Sequence, residues 1–324
     1  MDNTNYGKIC AHLICDLNKR QKEIVCRRFG LGQEKRETLE AIGKDFGICR
    51  ERVRQIQQAG LDKMNSKADQ YKNIFESFVR YFKKYGNLRR EDILLEELGT
   101  TAKNEVYFLL SLRKPFQRFN ENDDFYSLWT INHNSLVVAK KAVNSIRGQL
   151  KKEGQPVSLK DLNPPLSLKA KILTSYLDVS KKIQQNPEGL YGLSAWPEIN
   201  PRGIKDRAYL AFKKAGQPLH FREISNLIED SHLQTVHNEL IKDARFVLVG
   251  RGIYALSEWG YYPGQVKDVI LKVLQEARGP LTKQEILEEV KKQRIVKKNT
   301  ILLNLSNKDY FFRDSRGRYS IREA

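Results

Sequence analysis

The sequence repeats itself along most of its length. A helix-forming segment that ends at a glycine turn occurs as KKYGNL, KKEGQPVS, KKAGQPLH and EARGPLT, with glycines at 86, 154, 216 and 279. An aromatic strand follows each time, as FYSLW, LYGLSAW, IYALSEW and RYSI, with tyrosines at 126, 191, 254 and 319. The tyrosines are therefore 65, 63 and 65 residues apart. A period of this size predicts four tandem copies of one supersecondary unit or small domain.

The third copy indicates most clearly what that unit is. Its first helix, DRAYLAFKKAG, presents Ala208, Ala211 and Phe212 to a core. A second helix begins after Pro218 in PLHFREISNLIED, and HLQTVHNELIKD supplies a third. FVLVGRGIYAL then alternates on both sides of a Gly-Arg-Gly turn, which is typical of a β-hairpin. Three helices followed by a hairpin predict a winged helix.

The third copy also resembles a known family. Its segments AYLAFKKAGQPLHFREI and RFVLVGRGIYALSEW are similar to the HARE-HTH domain, found in the delta subunit of bacterial RNA polymerase and in some restriction and chromatin proteins. The fourth copy matches nearly as well, whereas the first two are recognisable mainly by register and aromatic residues. We therefore predict degenerate winged-helix-like units at 66–134 and 135–200, and HARE-HTH-like units at 201–263 and 264–324.

The first 65 residues do not follow this repeat. They contain three helical apolar patterns joined by glycine-bearing turns: LNKRQKEIVCRRFGLG, KRETLEAIGKDFG and ICRERVRQIQQAGLDKM. The last two have the spacing of a helix-turn-helix, in which apolar residues at 39, 42 and 46 pack against Val53 and Ile56. Val53 and Ile56 lie on one side of the final helix, and its polar side chains lie roughly opposite. Those polar residues include Glu51, Arg54, Gln55 and Gln58.

This N-terminal region resembles region 4 of the bacterial sigma-70 factors. The motifs RFGL, TLE-IG, FG and RER-RQI occur here in the order and spacing of that family. In the family, this region binds the −35 promoter element and touches the flap of RNA polymerase. The resemblance implies a phosphate contact near Arg52 and base contacts by Arg50, Glu51, Arg54 and Gln55. The residue types fit, since Arg suits guanine, Gln suits adenine and Glu can accept from cytosine N4.

Two positions depart from the sigma-70 pattern. Cys49 stands where the family usually has a Ser or Thr that caps the recognition helix, so a bond worth about 1 kcal/mol is expected to be missing. Gly60 stands where Ala is usual, and we expect the end of this helix to fray. Nothing in the chain resembles sigma region 2, so a complete initiation factor is not expected.

Charge indicates the class of partner. The chain has 57 Lys and Arg against 39 Asp and Glu, a formal net charge of +18 spread over every segment. Such a field favours an extended polyanion such as nucleic acid, although an acidic protein is also compatible with it. In the fourth copy, basic residues surround the predicted third helix and wing, in a pattern that suits phosphates. They are Lys291, Lys292, Arg294, Lys297, Lys298, Arg313, Arg316 and Arg318.

Motifs of catalysis are missing from the sequence. It contains no GxxxxGK[ST] loop, HExxH pair or GxSxG elbow, and His232 and His237 are spaced poorly for a metal. The four cysteines match no metal-ligand spacing, and we expect reduced, small apolar residues. We expect no enzyme, no cofactor, no metal and no small-molecule substrate. Without a long apolar stretch or a signal-peptide pattern, we expect no membrane contact and a cytoplasmic, nucleoid-associated protein.

These patterns together predict a mainly α protein with small β-hairpin wings, in which a sigma-4-like domain at 1–65 precedes the four-copy array. The main functional prediction is a DNA-binding transcription regulator of bacterial type, with double-stranded DNA and the RNA polymerase core as partners. One alternative is a polymerase-associated adaptor that binds DNA without sequence preference. Another is the DNA-recognition part of a restriction-modification system.

Overall fold

The protein is described here from a computed structural model, covering residues 5–165, 167–277 and 279–322. It is mainly helical, with small antiparallel sheets. The chain divides into two compact units, Met1–Ala195 and Trp196–Ala324. The boundaries predicted for the five smaller parts stay predictions. No helix in the described ranges is both long and apolar enough to cross a membrane.

The N-terminal region forms four helices whose ends follow from local sequence. They are α1 (Tyr6–Ile14), α2 (Lys19–Phe29), α3 (Leu39–Phe46) and α4 (Arg50–Lys67). The side chains of Asn18 and Thr38 accept hydrogen bonds from the first turns of α2 and α3. Both helices end at a glycine in the left-handed conformation, Gly30 and Gly47. A 3-10 turn, Ala68–Tyr71, follows α4.

The helix-turn-helix has a small core of its own. Ile24, Ile42 and Val53 are fully buried, one from each of α2, α3 and α4. The apolar residues packed around them are Leu39, Phe46, Ile48 and Ile56. The predicted packing of α3 against the start of α4 is therefore confirmed. The turn requires glycine at position 43, because a Cβ there would lie 2.6 Å from the carbonyl oxygen of Ile48.

The first two copies lie in the same unit as this region. The first consists of α5 (Lys72–Lys84), β1 (Leu88–Arg90), α6 (Glu91–Gly99), α7 (Lys103–Leu112), β2 (Gln117–Phe119) and β3 (Leu128–Thr130). Its strands form an antiparallel sheet in the order β1-β3-β2. The second consists of α8 (His133–Glu153), a 3-10 turn (Leu159–Asp161), α9 (Ala170–Asp178), β4 (Ile183–Gln185) and β5 (Tyr191–Leu193). Strands β4 and β5 pair as a hairpin.

The last two copies form the second unit. The third consists of α10 (Gly203–Ala215), β6 (Leu219–His220), α11 (Phe221–Leu227), α12 (Leu233–Lys242), β7 (Phe246–Gly250) and β8 (Ile253–Leu256). The fourth consists of α13 (Val266–Glu276), α14 (Lys283–Gln293), α15 (Lys298–Leu305), β9 (Phe311–Arg313) and β10 (Tyr319–Ile321). The three helices and the hairpin predicted for the third copy are thus present.

One pairing recurs in every copy. A residue shortly after the first helix pairs antiparallel with the last strand of the hairpin, as Leu88 with Thr130, Val157 with Tyr191, Leu219 with Tyr254 and Leu281 with Tyr319. The order of elements is therefore shared, except that the second copy has a 3-10 turn where the others have a second helix. Trp129, Tyr191 and Tyr254 are buried, as expected of core aromatics. Tyr126, Trp196 and Trp259 are half-buried.

The helix-turn-helix region and the first copy share one apolar core. Leu13 and Phe29 of the N-terminal region join Phe78 and Phe108 of the first copy in a single cluster of buried residues. The rings of Phe29 and Phe108 meet edge to face with centroids 5.2 Å apart. The side-chain amide of Asn104 donates to the carbonyl oxygens of Gly30 at 3.1 Å and Gln33 at 3.2 Å. These contacts fix α2 against α7.

The third and fourth copies are joined through Arg294. Its guanidinium donates to the carbonyl oxygens of Leu248 at 2.6 Å, Tyr262 at 2.7 Å and Gly264 at 2.7 Å. The residue is 4% exposed, and burial lowers its pKa. The backbone N–H of Ile295 also donates to Val249 at 2.7 Å. The predicted phosphate role of Arg294 is therefore wrong, because the guanidinium is enclosed and already hydrogen-bonded.

We expect Arg294→Ala to loosen this joint, because three carbonyl oxygens lose the donor that links them, at a cost of about 1–3 kcal/mol. Hydrogen exchange followed by mass spectrometry should show residues 246–264 exchanging about tenfold faster, or more. Lys291→Ala removes a cation from the exposed side of α14 and serves as the matched control. Equal exchange in the two variants would contradict the role assigned to Arg294.

Candidate nucleic-acid interface

The polar side chains predicted to contact DNA lie together on the outside of α4. Val53 is fully buried and Ile56 half-buried, which places the opposite side of the helix in solvent. We call this exposed surface the recognition face, and all of its residues are exposed. They are Arg50, Glu51, Arg52, Arg54, Gln55 and Gln58.

Most of the recognition face is paired within the helix itself. Arg54 Nη2 donates to Glu51 Oε1 at 2.7 Å, and Arg54 Nε lies 3.0 Å from both carboxylate oxygens. This bonding raises the pKa of Arg54 and lowers that of Glu51. Arg52 donates to Gln55 at 3.1 Å, and Gln58 donates to Asp62 at 2.9 Å. Such exposed pairs contribute little to stability, so a ligand can replace them at low cost.

Arg50 differs from its neighbours on the recognition face. In the part of the chain that the structure describes, its side chain makes no hydrogen bond or ion pair, although its charge helps to lower the pKa of Glu51. Arg50 lies at the first position of α4, where the helix enters from the turn. The guanidinium of Arg50 is therefore directly available to a hydrogen-bond acceptor on a ligand.

The start of α4 lacks a side-chain cap. Cys49 occupies the cap position in an extended conformation and makes no capping bond, which confirms the prediction. Past this point the helix continues through Gly60 to Lys67, and fraying of its end stays a prediction. Gly60 is buried, and a Cβ there would lie 3.4 Å from Val25 Cγ2, so the site would also accept the alanine that is usual in the family.

Arg27 holds the helix-turn-helix together, a role that the sequence analysis missed. Its guanidinium donates to Glu37 Oε1 at 2.8 Å and to Glu37 Oε2 at 2.7 Å, and it also bonds Asp45 of α3. These bonds raise the pKa of Arg27 and lower that of Glu37. Arg28 adds a 2.7 Å bond to the carbonyl oxygen of Glu37. These bonds fix the segment between α2 and α3. That segment in turn fixes the position of α3 and of the turn that leads into α4.

The fourth copy places its predicted DNA-binding residues at two exposed points. Lys297 is the cap residue of α15, and Lys298 is the first residue of that helix. Arg316 lies in the turn between β9 and β10, where its N–H donates to Asp314 Oδ1 at 2.9 Å. All three side chains are exposed. Their phosphate contacts stay a prediction.

The described ranges contain no group of three or more His, Cys, Asp or Glu residues close enough to hold a metal. Cys10 is buried, and burial raises the pKa of its thiol, whereas Cys15 and Cys49 are exposed. All four cysteines are free thiols, in agreement with the expected reduced state.

The N-terminal region is similar to a known family and to known proteins. Residues 13–65 match the family model described as sigma-70, region 4. The chain is 43% identical over 65 residues to RNA polymerase sigma factor RpoD of Helicobacter pylori (strain ATCC 700392 / 26695), covering 20% of this chain and 9% of that protein. It is 47% identical over 51 residues to RNA polymerase sigma factor RpoS of Coxiella burnetii, covering 16% of this chain and 14% of that protein.

The predicted resemblance of the N-terminal region is thus confirmed, and this region is a helix-turn-helix of the sigma-70 region 4 type. The matched segments span about a tenth of the RpoD protein and a seventh of the RpoS protein. They include α2, α3 and most of α4, together with the whole recognition face.

We expect Cys49→Ser to stabilise the start of α4, because the hydroxyl oxygen can accept a bond from the first turn, worth about 1 kcal/mol. Hydrogen exchange in a peptide covering residues 50–58 should slow about fivefold. Cys15→Ser makes the same chemical change at an exposed site after α1 and controls for it. An equal or smaller effect at position 49 would contradict the capping interpretation.

Proposed function

We propose that this protein is a DNA-binding transcription regulator of bacterial type. The observation that carries the proposal is the recognition face, an exposed set of Arg, Gln and Glu side chains on the second helix of a sigma-4-type helix-turn-helix. Side chains of these types can distinguish base pairs in the major groove of duplex DNA. Phosphate contacts around them orient the helix.

Each side chain of the recognition face has a role in this proposal. Arg50 and Arg54 donate in pairs to guanine, Gln55 and Gln58 bond adenine, and Glu51 accepts from cytosine. Arg52 contacts a phosphate. Before binding, Arg54 and Glu51 are paired with each other. Because that pair is exposed, exchanging it for a base costs little.

The remaining copies extend this interface in the proposal. The recurring order of helices and hairpin supports winged-helix-like units at 66–134 and 135–200, and HARE-HTH-like units at 201–263 and 264–324. Lys297, Lys298 and Arg316 contact phosphates from the fourth copy. The role is that of a binding protein rather than an enzyme, on the support of a sequence without nucleotide-binding or nucleophile motifs.

The RNA polymerase core is the second proposed partner. The relatives of the N-terminal region are RNA polymerase sigma factors by name. In the fourth copy, Leu303 is 76% exposed and Phe312 is 55% exposed. Exposed leucine and phenylalanine side chains favour contact with a protein over contact with phosphates. The alternative is an adaptor that uses this polymerase contact and binds DNA through charge, without sequence preference.

We expect Arg54→Ala to weaken binding to preferred duplexes, selected from a random pool by the full chain, by about 1–3 kcal/mol. Binding to random duplex should change much less, so the ratio of the two affinities falls. Fluorescence anisotropy with both duplexes measures this ratio. Arg80→Ala removes an exposed arginine from α5 and is the control.

Two results would count against base contact by Arg54. One is equal weakening of Arg54→Ala on preferred and random duplex, which assigns the residue to charge alone. The other is a selection that returns no preferred sequence, with or without core polymerase present. The second result would favour the adaptor.

We expect Leu303→Asn to reduce retention of purified RNA polymerase core on the immobilised full-length protein, because an exposed apolar contact is lost. Leu227→Asn is the matched control, since Leu227 is 60% exposed in the third copy. Retention that is unchanged in Leu303→Asn, or reduced equally in both variants, would remove the fourth copy as the polymerase contact.

A further inference from the structure

Helix α8 carries an unusual distribution of charge. It is 21 residues long and buries one side through Leu136, Val143, Ile146 and Leu150, among others. Its sequence contains five cations and one carboxylate, Glu153, which is the last residue of the helix. We call the five cations the basic face; four are exposed and Arg147 is half-exposed. They are Lys140, Lys141, Arg147, Lys151 and Lys152.

The basic face forms two rows along the helix. At about 100° per residue, Lys140, Arg147 and Lys151 fall within about 40° of one another, and Lys141 and Lys152 lie about 100° further round. Between the rows are residues 137, 144 and 148, which are Val, Asn and Gly. A Cβ at Gly148 would meet nothing within 4 Å. The exposed side of α8 is therefore a strip of short side chains with a row of cations on each side of it.

The cations of the basic face take little part in holding the fold. Lys140 Nζ lies 6.0 Å from the centroid of the Phe125 ring. None of its five cations forms an ion pair within the described residues. Other lysines of the same unit do, as Lys72 with Glu76 at 3.9 Å, Lys67 with Asp16, and Lys103 with Glu96. The lysines and arginine of α8 therefore keep their donors for a partner from outside.

A small cavity lies beside the row formed by Lys140, Arg147 and Lys151, and most of the charged residues that line it are also cations. It has a volume of about 170 Å³ and is lined by Lys140, Arg147 and Lys182. Asp124, which is 3.9 Å from Lys182, is the one carboxylate among the lining residues that the structure describes. Three cations against one carboxylate leave this part of the surface positive, which suits an anionic oxygen.

We propose that the basic face of α8 binds the phosphate backbone of duplex DNA. From Lys140 to Lys151 the helix rises about 16 Å, the length of about five base pairs. The contact is to phosphates, so it adds affinity without sequence preference. This inference rests on one part of the proposed function, namely that the protein binds DNA.

The composition of the face favours duplex DNA over other anionic partners. Protein interfaces are enriched in aromatic residues and depleted in Lys, whereas this face is rich in Lys and has Val137 as its exposed large apolar residue. Single-stranded nucleic acid is bound by stacking bases on aromatic rings, and the exposed side of α8 carries no Phe, Tyr or Trp. Regularly spaced cations alone match the phosphates of a duplex.

The test compares salt dependence in the full-length protein. We expect Lys140→Gln/Arg147→Gln/Lys151→Gln to reduce the slope of log affinity against log salt by about 2–3 on a random-sequence duplex, since each phosphate contact contributes about 0.9. At low salt its affinity should fall about tenfold or more. Lys67→Gln/Lys72→Gln/Lys103→Gln removes the same charge from ion-paired sites and should change the slope by less than about 1.

Several outcomes would overturn the proposal. An unchanged slope, or equal loss in the two triple variants, would mean that α8 makes no local contact. Greater loss on a single strand of equal length would assign the face to single-stranded nucleic acid, and loss on polyglutamate alone would assign it to an acidic protein. Circular dichroism confirms that both variants are folded.

The result is separable from the test of base contact. The α8 variant should leave the ratio of preferred to random affinity unchanged, whereas Arg54→Ala lowers that ratio. A protein without sequence preference still allows the salt test, because that test uses random duplex. If the unaltered protein binds no duplex at all, both proposals fall.

Discussion

The structure of the N-terminal unit depends on the apolar core that the helix-turn-helix region shares with the first copy. The helix-turn-helix buries few large side chains by itself, chiefly Ile24, Ile42 and Val53. Buried residues of α1 and α2 instead join those of α4, α5 and α7 in one cluster, in which Phe29 packs against Phe108. A region this small gains its stability from such burial, which is worth roughly 25 cal/mol per Å². The position of the recognition face therefore depends on apolar packing at the opposite side of the helix-turn-helix region.

A second constraint joins the first copy to the next. Arg89 is buried and donates to Asp178 at 2.9 Å and to Glu97 at 2.6 Å, while its guanidinium lies over the ring of Tyr85 at 4.2 Å. Breaking such a pair from one side leaves a charge enclosed without its partner, so the three side chains keep a fixed arrangement. The link runs from β1 to the end of α9, and α8 packs on α9. The recognition face and the basic face of α8 thus belong to one compact unit.

Sequence patterns predicted what depends on local periodicity and missed what depends on distant partners. The helix-turn-helix, its apolar contacts and the exposed polar side of α4 follow from helical spacing, caps and glycine turns. The three helices and the hairpin of the third copy also follow from local patterns, but β6, which pairs with the distant β8, was not predicted. The second copy departs where Pro164 and Pro165 follow the 3-10 turn, since proline cannot continue a helix from within. From the sequence alone, Arg294 is predicted to bind phosphate. The three carbonyl oxygens that accept from its guanidinium belong to residues 30 to 46 positions away, and no local pattern indicates them.

The joint at Ile295 has a consequence for solubility. In the sheet of the third copy, β7 is an outer strand, and outer strands expose unpaired backbone groups that can recruit strands from other molecules. Here the bond from the Ile295 N–H to Val249, with the parallel bridge at Gly250, occupies part of that edge. Each domain added to an array of this kind can shield its predecessor from intermolecular strand addition. A tandem chain would then resist aggregation through its own connectivity, without charges placed on the strand for that purpose.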